Sequence, residues 1–211
     1  MADIPEGQAA EPRKKKRRRR LPKNFKPTQI ESILAAAEAA LGAARTKAKR
    51  LAARRDLVMF QTIRYTGFRI SELCKLRIEN VDLADGVIAI LHGKGDADRN
   101  VPINRKLLPL LVEWIGDRRS GFVFPGRGDR PIASRTFQRR LPALAKAAGF
   151  VITKDNKANP HRLRHTFATS YLKVNKNLRE VQELLGHANL QTTAIYLHVD
   201  QDELKEGIDR L

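Results

Sequence analysis

A chain of 211 residues, 42% of them hydrophobic, can bury a proper core as one large domain or two small ones. Its 41 Lys and Arg against 23 Asp and Glu leave a formal charge of +18, an excess that points to nucleic acid or an anionic surface as partner. No apolar run approaches the ~20 residues of a membrane span, no apolar signal core opens the chain, and the single cysteine, Cys74, excludes an internal disulfide and any cysteine-rich metal site, so the expectation is a cytosolic protein without membrane contact.

Residues 1–27 stand apart in composition. They run from a small, weakly acidic start into Arg13, Lys14, Lys15, Lys16, Arg17, Arg18, Arg19 and Arg20, then meet Pro22 and Pro27. Such a block repels itself and is expected to be disordered until it meets a polyanion. A nuclear localisation signal and a DNA-grasping arm both fit it, and the basic character of the rest favours the arm. Ten cations less three acids give this tail +7 and leave +11 for the remainder.

Folding is expected to begin at Thr28, where Thr28 and Glu31 have capping-box spacing ahead of Ile30, Ile33 and Leu34. An alanine-rich helix then runs to about Gly42, and a second, with Leu57, Val58, Phe60 and Ile63, ends at Thr66-Gly67. After that turn comes Arg69, and Ser71 to Leu76 reads as one or two helical turns with Ile70, Leu73 and Leu76 facing inward. Arg69 and Glu72, three apart, share a face. They are either a surface ion pair worth a few tenths of a kcal/mol or a carboxylate anchor that holds Arg69, or a nearby histidine, in place.

From Val87 to Ile103 the pattern turns to strand: Val87 to His92, a glycine-flanked tip at Gly93-Lys94-Gly95, then Asn100 to Ile103, with Ile78 to Val81 as an extension. By spacing alone, Lys94 is a solvated turn lysine. The C-terminal half reads as helix. Leu107 to Ile115 follows an Asn104 cap, with Pro109 near its start; Phe122 to Pro125 is extended; and Gly126 to Pro131 is a loop. Ser134 caps a helix with Phe137, Leu141 and Leu144 inside, broken or kinked near Pro142 and closed by Gly149. Arg135, Arg139 and Arg140 lie on its outer side, as phosphate contacts or as an ordinary solvated face.

Asn159-Pro160 then starts a helix, since Asn caps well and proline is tolerated at the first helical position. Leu163, Phe167, Tyr171 and Val174 form its apolar stripe. His161 and Arg164, on another face, can touch one ligand, and the first turn favours an anion and a neutral imidazole. A short helix with Leu178, Val181, Leu184 and Leu185 ends at Gly186, and His187 follows the stop. Tyr196 comes next. A tyrosine hydroxyl ionises near pH ~10, so as a nucleophile it needs a base and cationic neighbours, both of which this stretch supplies. Five histidines without HExxH or clustered carboxylates give no reason to expect a metal.

Taken singly, each of these residues has an ordinary explanation. As a set, TGFRISEL, HGKG followed by VPI, HRLRHTFAT, LREVQELLGH and TTAIYLHV, between Thr28 and about Asp200, resemble the tyrosine recombinases, or phage integrases, and their Xer-like members most. The resemblance implies an α+β, mainly α-helical catalytic domain over residues 28–211 with a small antiparallel β-sheet. It implies that Arg69 and Arg164 grip the scissile phosphate, Lys94 protonates the leaving 5′ oxygen, His161 is the general base, His187 hydrogen-bonds the phosphate, Tyr196 is the nucleophile and Glu72 supports. His165 and His198 fit the pattern as structural residues. The implied activity is site-specific DNA cleavage and rejoining through a 3′-phosphotyrosyl link, with no metal and no other cofactor.

The partners so implied are double-stranded DNA, a homo-oligomer (a tetramer on DNA) and an accessory or partner recombinase, with the chain at the nucleoid. Residues 200–211, with Leu204, Ile208 and Leu211 at helical spacing, either exchange between protomers or fold back on their own. Most family members carry a separate helical core-binding domain where this chain has its basic tail, as the short fimbrial-switch recombinases also lack it. Two other readings remain: a non-cleaving DNA-binding accessory protein that kept the fold, and a type IB topoisomerase-like enzyme.

Overall fold

The computed structural model describes residues 24–91, 98–128 and 130–186. The packed body is already present at Phe25, which is 3% exposed and stacks edge-on against Phe150, with ring centroids 5.6 Å apart. Helix α1 spans Pro27–Gly42 and α2 spans Lys47–Thr66. The expected Thr28–Glu31 capping box is corrected: proline lacks the N–H that would need capping, so the helix starts one residue earlier, at Pro27. Lys26 N donates to Gln29 Oε1 at 2.9 Å, while Glu31 reaches across to Arg64 of α2.

Helix α2 is the central post. From Asp56 to Ile63 every residue is buried, because α1, α4 (Leu108–Ile115), α5 (Ser134–Ala147) and α6 (Pro160–Asn175) all pack on it. It ends as expected at Gly67, whose φ of +65° turns the chain into α3, Ile70–Lys75.

The sheet is antiparallel, in the order β1 (Val81–Asp82), β2 (Val87–Ile90), β3 (Arg99–Pro102). Ile88 pairs with Val101 and Ile90 with Arg99, and these four make the buried face. Ile78 to Asn80 is a 3-10 turn and not a strand extension: Ile78 N donates to Gly121 O at 2.8 Å, so its backbone bonds go to a loop instead of a ladder. The tip with Lys94 lies outside the described residues.

Helix α4 follows Asn104, whose carbonyl accepts from Leu107 and Leu108 N, and Pro109 sits in its first turn as expected. In α5, Ala133 and not Ser134 holds the cap position, and Ser134 is the first residue of the helix. The helix also runs on through Pro142 to Ala147. Asn159 caps α6 as expected, its Oδ1 accepting from Arg162 N at 2.8 Å. Leu163 is buried and Phe167 and Tyr171 half-buried, but Val174 is 80% exposed because the last turn of α6 runs past the packed body. Helix α7, Leu178–Leu185, closes on Gly186 in the left-handed conformation, as expected. No helix among the described residues is long and apolar enough to cross a membrane.

Candidate functional site

Four turns and termini meet at one carboxylate. Gly67 brings Arg69 to the start of α3, where the Arg69 N–H donates to Glu72 Oε2 at 2.8 Å and Nη1 donates to Oε1 at 2.9 Å. Arg99, from the first position of β3, approaches the same carboxylate from the other side, with Nη2 to Oε2 at 2.9 Å and Nη1 to Oε1 at 3.2 Å. Arg164 of α6 stands 3.8 Å from Oε2. Three guanidiniums around one carboxylate give these four side chains a formal charge of +2, in a place where Arg99, Arg164 and Glu72 are almost wholly buried.

The C-terminal end of α7 completes the arrangement. Its last carbonyls point toward the arginines, and each is taken by a different one: Leu184 O accepts from Arg99 Nε at 2.9 Å, Leu185 O from Arg164 Nη2 at 2.7 Å, and Gly186 O from Arg69 Nη2 at 3.2 Å. A helix C-terminus is the negative end of its dipole, so the three cations sit where the backbone favours them. Arg164 Nη1 also donates to Gly67 O at 2.7 Å, tying α6 to the turn that aims Arg69. Burial alone would raise the Glu72 carboxyl pKa. The hydrogen bonds and charge of Arg99, the Arg69 N–H and the charge of Arg164 outweigh it and hold Glu72 below the ordinary carboxylate range, ionised at neutral pH.

His161 lies partly exposed at the first turn of α6, and its Nε2 is 2.8 Å from Nε2 of His165, one turn on, with the rings nearly perpendicular. At that distance one proton lies between the two nitrogens, so one ring donates and the other accepts. Partial burial first, and the charge of Arg164 second, push the His161 pKa below its usual value. A ring kept neutral beside Arg164 can take a proton. Among the described residues no group of three or more His, Cys, Asp or Glu could hold a metal.

Of the residues singled out in the sequence, Arg69, Glu72, His161 and Arg164 are thus placed at the α3–α6–α7 junction. Lys94, His187, Tyr196 and the run Arg13 to Arg20 lie outside the described residues, as do residues 200–211. Arg135 and Arg139 are exposed on α5 and have no part in the Glu72 cluster. Arg140 turns out to be tied down: its Nε donates at 2.5 Å to Asp56, a carboxylate 1% exposed in α2 that also accepts from Arg55.

Sequence reasoning missed Arg99 and underrated His165. It also missed Arg162, whose guanidinium stacks over Phe25 at 4.3 Å and Phe150 at 5.0 Å and donates to Asn24 O, pinning the start of the body to α6. Period-two alternation with Val101 marks position 99 as inward, the one signal that could have found Arg99. The i,i+4 spacing of the two histidines was the corresponding signal for His165.

The chain is 40% identical over 158 residues to tyrosine recombinase XerC of Xylella fastidiosa (strain M23), covering 74% of this chain and 52% of that one. To tyrosine recombinase XerD of Vibrio cholerae serotype O1 (strain ATCC 39315 / El Tor Inaba N16961) it is 35% identical over 199 residues, covering 89% and 60%. The XerH site-specific recombinase bound to palindromic difH substrate superposes with a TM-score of 0.72 at 27% identity, over 90% of this chain and 53% of that one. The chain spans about half to three-fifths of the length of these curated relatives. Residues 23–203 match the model of the phage integrase family, a stretch that holds α1 to α7 and every arginine around Glu72, so the chain belongs to that family, the tyrosine recombinases.

Proposed function

We propose that the protein is a site-specific DNA recombinase that cuts and rejoins strands through a 3′-phosphotyrosyl intermediate. The observation that carries this is the buried +2 cluster, in which Arg69 and Arg164 are held from behind by Glu72, Gly67 and the end of α7. A phosphodiester approaching a pentacoordinate transition state gains negative charge on its non-bridging oxygens. Arginine suits that task because its planar fork donates two hydrogen bonds and keeps its proton. Donors fixed in advance are the largest rate term such a site can offer.

In this reading Arg69 and Arg164 grip the non-bridging oxygens and His187 adds a hydrogen bond. The Tyr196 oxygen attacks phosphorus as His161 takes the phenolic proton. The bond from phosphorus to the 5′ oxygen breaks, and Lys94 gives that oxygen its proton. Attack by a 5′ hydroxyl from another strand reverses these transfers and completes an exchange. Double-stranded DNA is the substrate, with Arg135, Arg139 and the run Arg13 to Arg20 of the 1–27 tail as phosphate contacts and residues 28–211 as the catalytic domain. Assembly into a tetramer, with residues 200–211 reaching a neighbouring protomer or with a partner recombinase, supplies the second pair of strands, and the chain works at the nucleoid. The relative solved with difH substrate was captured as a post-cleavage complex, which supports the reading.

Nicked suicide duplexes drawn from DNA flanking the coding sequence test it. The wild type should leave a protein–DNA adduct that survives denaturant, and Tyr196→Phe should leave none. Binding without an adduct on every duplex would favour a non-cleaving accessory protein. Site-independent plasmid relaxation by a monomer would favour a type IB topoisomerase.

A further inference from the structure

Arg99 occupies a position that a strand of this sheet would ordinarily fill with an apolar residue. It pairs with Ile90 across the ladder, on the face shared by Ile88 and Val101, and its side chain is 4% exposed. Burying a guanidinium is costly unless its donors are matched. Here Nη1 and Nη2 fork onto the two oxygens of Glu72, Nε donates to Leu184 O, and the guanidinium carbon lies 5.8 Å from the centre of the Phe68 ring. Gly186 is the one residue type that leaves room for it, since a Cβ there would approach Nη1 to 2.8 Å.

This geometry decides how one negative charge is shared. Arg99 addresses both oxygens of Glu72, the Arg69 side chain addresses one, and Arg164 stands 3.8 Å off. With Arg99 present the four side chains sum to +2. Without its charge they sum to +1, and Glu72 becomes the direct counter-ion of the two arginines meant to face an anion. The Leu184 carbonyl would lose its donor in the same step, loosening the end of α7 next to the carbonyls that hold Arg164 and Arg69.

We propose that Arg99 is a positioning residue for the phosphate: by holding both oxygens of Glu72 and the Leu184 carbonyl, it reserves Arg69 and Arg164 for the non-bridging oxygens of a scissile phosphodiester. The inference rests on the cleavage reading above. Arg99 itself does not touch the substrate; its fork is turned to Glu72.

The test compares single-turnover cleavage by the wild type, Arg99→Met and Arg99→Lys on two suicide duplexes that differ only at the scissile linkage, a native phosphate in one and a neutral methylphosphonate in the other. Duplex affinity and thermal melting are measured alongside. On the phosphate, Arg99→Met should cleave about 100-fold more slowly than the wild type while its Kd changes by less than about threefold. On the methylphosphonate the gap should shrink to less than about tenfold, because one non-bridging oxygen no longer carries the charge the clamp meets. Arg99→Lys keeps the charge but not the fork, and should recover about tenfold of the loss.

Equal losses on the two linkages, or wild-type cleavage by Arg99→Met, would overturn the assignment and leave Arg99 a packing residue. If Arg99→Met melts below the assay temperature, the same linkage comparison in Arg99→Lys decides. A wild type that forms no adduct on any duplex overturns the cleavage reading and this inference with it. A wild type that cleaves, beside an inactive Arg69→Ala, confines a negative Arg99 result to the inference alone.

Discussion

His161 and His165 share one proton across 2.8 Å, and what that pair does with pH depends on what surrounds it. Burial and Arg164 both disfavour the imidazolium, so the folded state holds the His161 proton less tightly than the unfolded state does. With the folded pKa below the unfolded one, the unfolded chain takes up the proton first as pH falls. Stability is therefore unaffected well above the ordinary value of 6.5, and it falls as pH drops from there toward the depressed value. The same shift keeps the ring available as a base. The rate of adduct formation, followed from about pH 8 to 5, should fall with a midpoint below 6.5, and that limb should be missing from His161→Gln. A midpoint at or above 6.5 would mean that another group takes the proton. At this scale, Arg69, Glu72, His161 and Arg164 were singled out in the sequence because TGFRISEL and HRLRHTFAT resemble the tyrosine recombinases as part of a set, each residue alone having an ordinary explanation. Arg99 and Arg162 were not. An arginine among charged or polar neighbours reads as solvated, and what buries Arg162 is Phe25 and Phe150, rings contributed by distant segments.

The elements converge on the site through their ends. Gly67 ends α2, turns the chain toward α3 and lends its carbonyl to Arg164, all within one left-handed residue. A Cβ added there would lie 2.3 Å from Phe167 Cδ1, inside the ring's own volume. Gly67→Ala should therefore lose about 2–5 kcal/mol, from left-handed strain of ~1–2 and overpacking of ~1–3. Gly149 has φ +77° but nothing within 4 Å of such a Cβ, so Gly149→Ala should lose only the strain, about 1–2 kcal/mol. Denaturant melts of the two variants separate the effects, and equal losses would show that Phe167 moves aside freely. The glycine stops at Gly67 and Gly186 and the Asn159 cap were readable from sequence because they depend on local backbone chemistry. The extension assigned to Ile78 to Val81 is strand only at Val81, the first residue of β1, since the alternation from Ile78 to Asn80 is satisfied equally by a 3-10 turn in which the Ile78 N–H finds Gly121 far along the chain. Val174 kept helical period with the stripe of α6, but period carries no information about where the neighbouring body ends.

At the scale of the whole molecule the dominant quantity is charge. The formal +18 is shared between an eight-cation run at 13–20 and a body that is basic in its own right. Each phosphate neutralised by a cation releases counterions, so log affinity falls with log salt by about 0.9 per contact. A chain lacking residues 1–23 should lose up to about 7 from that slope if all eight cations engage DNA, and proportionally less if only some do. The cut spares Asn24, whose Nδ2 donates to Thr169 Oγ1, and Phe25, whose N–H donates to Thr166 Oγ1, so the melting temperature of the body should stay where it is. Cleavage offers a separate readout, because among the described residues the Glu72 cluster is built from α3, β3, α6 and α7. At saturating DNA the truncated protein should form adducts at the full-length rate, and at limiting DNA it should fall behind increasingly as salt is raised. An unchanged salt slope would mean that the run does not meet phosphate. A lower rate at saturation would mean that the tail reaches the chemistry as well as the duplex.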